Sequence, residues 1–126
     1  MITAGAGLLS ANVTVTVENL NSMAQVAIDL TDREYRKPLE RDLRDLACLD
    51  CPVIFLGSIA TDKYLLPLKE NLGYNLKIPM DFAGRGDMSR GGLLLRAARE
   101  SVELTYVSAE AAARHAPRRR SCRYSR

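Results

Sequence analysis

A single histidine, His115, and no Gly-x-Ser-x-Gly run occur in this sequence, so a hydrolytic set of nucleophile, base and orienting acid is not available. Three cysteines are an odd number, too few for a disulfide framework in a chain able to build its own core. Reduced thiols follow, and with them an expected cytoplasmic location. No apolar run approaches the roughly 20 residues that cross a bilayer, and the apolar stretch 1–11 has no Lys or Arg ahead of it, unlike a secretory leader. No membrane contact is expected. Metal ligands are scarce as well: Cys48-Leu49-Asp50-Cys51 offers two thiols, and zinc would need two more from His115 and Cys122 near the C-terminus. A thioredoxin-like role for the pair fails on polarity, because a helix C-terminus disfavours a thiolate. The plain alternative is that both thiols pack where helix meets strand. No cofactor is specified.

Apolar residues make up 47% of the chain and charged residues 26%, a balance that suits one globular domain. The net charge of +3 hides an asymmetry. Arg114, Arg118, Arg119, Arg120, Arg123 and Arg126 fall in the last 13 residues with no acid among them, and removing these six leaves −3 for residues 1–113. The expected organisation is therefore an α/β domain over 1–108 and a basic, disordered tail over 109–126. The apolar start and the abrupt turn to arginine after Ala113 would also suit a fragment of something larger.

Residues 12–18 (Asn-Val-Thr-Val-Thr-Val-Glu) alternate Val with Thr at period two and predict a strand with one buried face. Turn residues over 19–22 lead to a short apolar run, 24–30, read as a second strand. Thr31-Asp32-Arg33-Glu34 matches a capping box, and Tyr35, Leu39, Leu43 and Leu46 form an apolar stripe on a helix ending near Cys48. Pro38 lies inside it, where a kink or a short 3₁₀ start is expected. The continuous apolar run 52–57 (Pro-Val-Ile-Phe-Leu-Gly) reads as a central strand buried on both faces. A helix over 62–72 stopped by Gly73, a strand over 74–79, a helix over 91–100 and a strand over 102–107 complete the pattern. An echo between 31–39 and 61–68 fits either a duplicated unit or two helix starts under like capping demands.

Strands alternating with helices predict a small three-layer, Rossmann-like α/β domain: a mostly parallel sheet of four to five strands flanked by helices. In such sheets ligands bind beyond the carboxyl ends of the strands, which directs attention to the turns after Leu30, Leu56 and Pro79. Asp29 and Asp81 are candidate carboxylates on that rim.

The segment 81–92 (Asp-Phe-Ala-Gly-Arg-Gly-Asp-Met-Ser-Arg-Gly-Gly) is the most unusual in the chain. Its glycines allow close approach of backbone to ligand, a helix start attracts anions, and Arg85 and Arg90 could grip a phosphate or carboxylate. The candidate ligand-binding set is Asp81, Gly84, Arg85, Gly86, Asp87, Ser89 and Arg90. Nucleotide hydrolysis of the P-loop type is not implied, because Gly92 and Leu93 occupy the positions that Lys and Ser or Thr must fill. Gly84 and Gly86 followed by Ser89 also miss the dinucleotide fingerprint. Arg85-Gly86-Asp87 spells an integrin-recognition tripeptide by chance. The structural alternative is a flexible loop in which Ser89 caps the following helix.

The turn 57–64 adds Ser58 as a ligand-binding hydroxyl, Asp62 as an acid or base, and Lys63 or Tyr64 as a proton donor; alternatively Thr61 caps the helix, Asp62 complements its dipole and Tyr64 packs. Two functions compete. One is binding of a phosphorylated or carboxylated small molecule, with or without catalysis, where turn 57–64 and segment 81–92 share one concave rim. The other is an interaction module whose arginine-rich tail contacts nucleic acid or an acidic protein through charge.

Overall fold

The computed structural model describes residues 1–115. Five helices, α1 (Val17–Ala24), α2 (Arg33–Ala47), α3 (Asp62–Leu72), α4 (Asp87–Glu100) and α5 (Ala109–His115), accompany one sheet of β1 (Val53–Ile54), β2 (Leu76–Pro79) and β3 (Tyr106–Ser108), in that spatial order. β1 lies parallel to β2, with Val53 opposite Leu76 and Ile54 opposite Lys77. β3 lies antiparallel to β2, with Ile78 opposite Val107. Among the described residues no helix is long and apolar enough to cross a membrane.

The expected three-layer domain with four to five mostly parallel strands is thus corrected to a three-stranded mixed sheet. Two predicted strands do not form. Residues 12–16 join no strand among the described residues, and Val13, Val15 and Val17 stay exposed. The Thr16 hydroxyl instead accepts the Asn19 amide while the Asn19 side chain accepts the Thr16 amide, a capping box that starts α1 where a strand and turn were expected. Residues 25–30 are irregular, and the Asp29 carboxylate takes the amide and hydroxyl of Thr31, both at 2.8 Å. With Thr31 so engaged, Asp32 caps α2 by accepting the Glu34 amide at 2.9 Å. The run 52–57 contributes only two residues to the sheet, and at its edge: β2 occupies the centre and Ile54 is 43% exposed.

Helices α2, α3 and α5 and strand β2 build one core. Tyr35, Leu39 and Leu43 of α2 are fully buried against Leu68 and Leu72 of α3, and Leu76, Ile78, Phe82, Ala109 and Ala112 complete the cluster. The first part of the stretch read as tail therefore forms α5 and places two alanines in the core. One polar bond sits inside this packing. Pro67 in α3 has no N–H to give the Lys63 carbonyl one turn earlier, and the buried Tyr35 hydroxyl donates to that carbonyl at 2.7 Å. Arg36 joins the same two helices at the surface, bonding Glu40 on α2 and Glu70 on α3.

Burial, with the nearby Tyr64 hydroxyl adding to it, pushes the Tyr35 phenol from 10 up to about 12. Tyr35→Phe should cost about 1–3 kcal/mol, the loss expected when a buried carbonyl is left unpaired. A raised phenol pKa favours the neutral form in the fold, so the wild type's advantage is complete below pH 10 and is lost as pH rises toward about 12. Urea unfolding of both proteins over that range checks this; a constant difference would contradict it.

Candidate functional site

An apolar groove of about 880 Å³ opens between the N-terminal segment, the run 53–58, and the starts of α3 and α4. Its floor is Leu43 and Leu46 of α2 with Leu68 of α3, and its near wall is Val53, Ile54, Phe55, Leu56, Gly57 and Ser58. Gly57 matters here because the Phe55 ring lies across it: a Cβ would come within 2.4 Å of that ring. Tyr64 and Ser58 enter from the turn after β1, and Asp87, Arg90, Gly91 and Leu94 enter from α4.

The other wall comes from a part of the chain that sequence reasoning left without a role. Ile2 bridges Leu8 in antiparallel fashion, and the Thr3 amide and hydroxyl both donate to the Gly7 carbonyl, at 2.9 and 2.7 Å. The Leu8 amide then donates to the Asp42 carboxylate on α2 at 2.9 Å. Gly7 has φ +67°, and a Cβ there would lie 2.2 Å from that carboxylate and 2.8 Å from the Pro38 carbonyl, so glycine is required twice over. The Arg41 guanidinium, together with the Leu8 amide, holds the Asp42 carboxyl below its ordinary range. The sequence signal was slight: two glycines in an apolar stretch.

Of the expected ligand-binding residues, Ser58, Asp87 and Arg90 line this groove. Asp62, in the first turn of α3, is exposed and does not line it, and neither do Asp81, Gly84, Arg85, Gly86 or Ser89. Helix α4 begins at Asp87, four residues earlier than expected, so Gly91 and Gly92 lie within it and Gly86 occupies its cap. Ser89 is therefore no cap. Its hydroxyl accepts from Arg85 Nη1 at 3.1 Å, while Arg85 Nε donates to the Asp81 carbonyl at 2.6 Å. Arg85 serves the loop itself, and Gly84 turns that loop at φ +74°.

Arg90 differs from Arg85. It is 6% exposed, and its Nη1 donates to the Arg85 carbonyl at 2.7 Å while Nη2 pairs with the Asp87 carboxylate. A guanidinium has five N–H donors; two of those of Arg90 are engaged in this way, and no buried side-chain nitrogen among the described residues is left without a partner. The Asp87 side chain is 89% exposed, so its carboxylate covers the guanidinium from the solvent side.

Cys48 and Cys51 are both exposed, which corrects the expectation that they pack at the helix–strand junction. The arginines proposed to contact nucleic acid, Arg118, Arg119, Arg120, Arg123 and Arg126, lie outside the described residues. No protein-family model matches the chain, and comparison with the curated proteins and with the solved structures finds no match either.

The wall built by the N-terminal segment depends on one amide and one glycine. Asp42→Ala and Gly7→Ala should each release it, raising the hydrogen-exchange rate of the Leu8 and Thr3 amides while those of α2 and α3 stay protected. Unchanged protection at Leu8 in both variants would contradict this account of the wall.

Proposed function

We propose that this chain binds an anionic small molecule, carboxylated or phosphorylated, with an apolar body. The observation that carries the reading is Arg90: a nearly buried guanidinium that lines an apolar groove and is paired with an exposed carboxylate. Burying a charge is costly unless it is paired, and the pairing with Asp87 is half open to water. Ser58 and Tyr64 supply hydroxyls on the same groove. The anion therefore meets Arg90, and its apolar body lies against Leu46, Val53, Leu68 and Leu94. Turn 57–64 and segment 81–92 contribute jointly, through Ser58 and Tyr64 from the first and Asp87 and Arg90 from the second.

Octanoate and hexyl phosphate are suitable probes by calorimetry. Arg90→Gln should weaken binding about 10- to 100-fold, the loss of one charge-assisted contact of about 1.5–3 kcal/mol. Asp87→Asn removes the competing carboxylate without touching the core, and should tighten binding about two- to fivefold, the worth of an exposed ion pair. Absence of binding to the wild type, or weaker binding on Asp87→Asn, would overturn the reading.

A further inference from the structure

The backbone of β1 narrows the ligand class. Phe55 donates its amide to the Lys77 carbonyl at 2.9 Å, and Val53 stands opposite Leu76. In a parallel ladder the amide groups of alternate residues point to opposite edges, so the N–H and C=O of Ile54 and Leu56 point away from β2. Among the described residues no backbone partner meets them there.

Side chains of an extended run also alternate between faces. A groove touched by every residue from Val53 to Ser58 therefore runs along the edge of the strand, not against one face. Three features coincide along it: unpaired amide groups, apolar walls, and at the α4 side a guanidinium able to take a carboxylate.

We infer that the anion bound in this groove is a short, extended, peptide-like amide ending in a carboxylate. Its amides pair with Ile54 and Leu56 as an added strand, its apolar side groups fill the groove, and its carboxylate replaces Asp87 at Arg90. The inference rests on the anion-binding reading of the same groove and goes further in requiring an amide. Fatty acids and sugar phosphates lack that amide, and the second also lack the apolar body. The stretch from Val53 to Leu56 is about 10 Å long at the usual rise of a strand, which suits a ligand of three or four residues.

N-acetyl-trileucine, its C-terminal carboxamide, its analogue N-methylated at the central amide, and octanoate separate the possibilities when titrated into ¹⁵N-labelled full-length protein. The free acid should bind about tenfold or more tightly than octanoate, the gain from two further hydrogen bonds. It should move the Ile54 and Leu56 amide protons downfield and slow their exchange. N-methylation should erase that gain, and the carboxamide should lose the Arg90 contribution. Octanoate binding as tightly as the tripeptide, with the Ile54 and Leu56 amides unmoved, would overturn the amide requirement and leave the anion-binding reading standing. No binding by any of the four would overturn both.

Discussion

A missing hydrogen sets the terms of this fold. Pro67 sits in the middle of α3 and cannot donate to the Lys63 carbonyl, so that carbonyl needs another partner inside a packed interface. The Tyr35 hydroxyl from α2 supplies it. The two helices are thereby fixed in register as well as in contact, because a hydroxyl at the wrong height would leave two polar groups buried and unpaired. Leu39 and Leu43 continue the same stripe down α2 and meet Leu68 and Leu72. β1 and β2 are then placed by the short connections leaving α2 and entering and leaving α3, and the groove is the space left over between this frame and the segments laid across it.

What lies across it explains why the groove is both apolar and charged. The N-terminal segment is pinned to α2 by the Leu8 amide on Asp42, and so presents Met1, Ile2 and Leu8 to the groove. On the opposite side α4 brings Arg90 inward while leaving Asp87 in solvent. The glycines that look like a phosphate cradle in sequence divide into two roles: Gly84 turns the loop, while Gly91 and Gly92 lie in α4, where Gly91 adds no side chain to the groove. The arginines divide as well, Arg85 holding its own loop together and Arg90 facing the groove.

The frame was legible in the sequence where local chemistry and tertiary packing agree. The stripe Tyr35, Leu39, Leu43, the helix 62–72 and its stop at Gly73 all stand as the pattern reads. Legibility failed where one pattern has two physical causes. The alternation of Val and Thr over 12–16 looks like a pleated face, yet among the described residues it has no partner strand, and Thr16 is used as a cap. The apolar run 52–57 does report proximity to an apolar environment, but that environment is a groove at the sheet edge and not a second layer of helices. Gly91 and Gly92 are poor helix formers and hid the true start of α4. Of the candidate site, Ser58, Asp87 and Arg90 could be found from turn position and residue type; the role of Gly7 and Leu8 could not, since it exists only through Asp42, 34 residues further along.

The proposed exchange of carboxylates at Arg90 is tested directly by side-chain NMR. Titration of an alkyl carboxylate into protein carrying ¹⁵N in its arginine guanidinium groups and ¹³C in its aspartate carboxyl groups follows both partners at once. With exchange, the Arg90 Nε and Nη signals shift together with the Asp87 carboxyl carbon, the latter moving toward the position of an unpaired aspartate, while Arg85 stays where it was. Arg90 and Asp87 signals that remain fixed as the ligand saturates would contradict it.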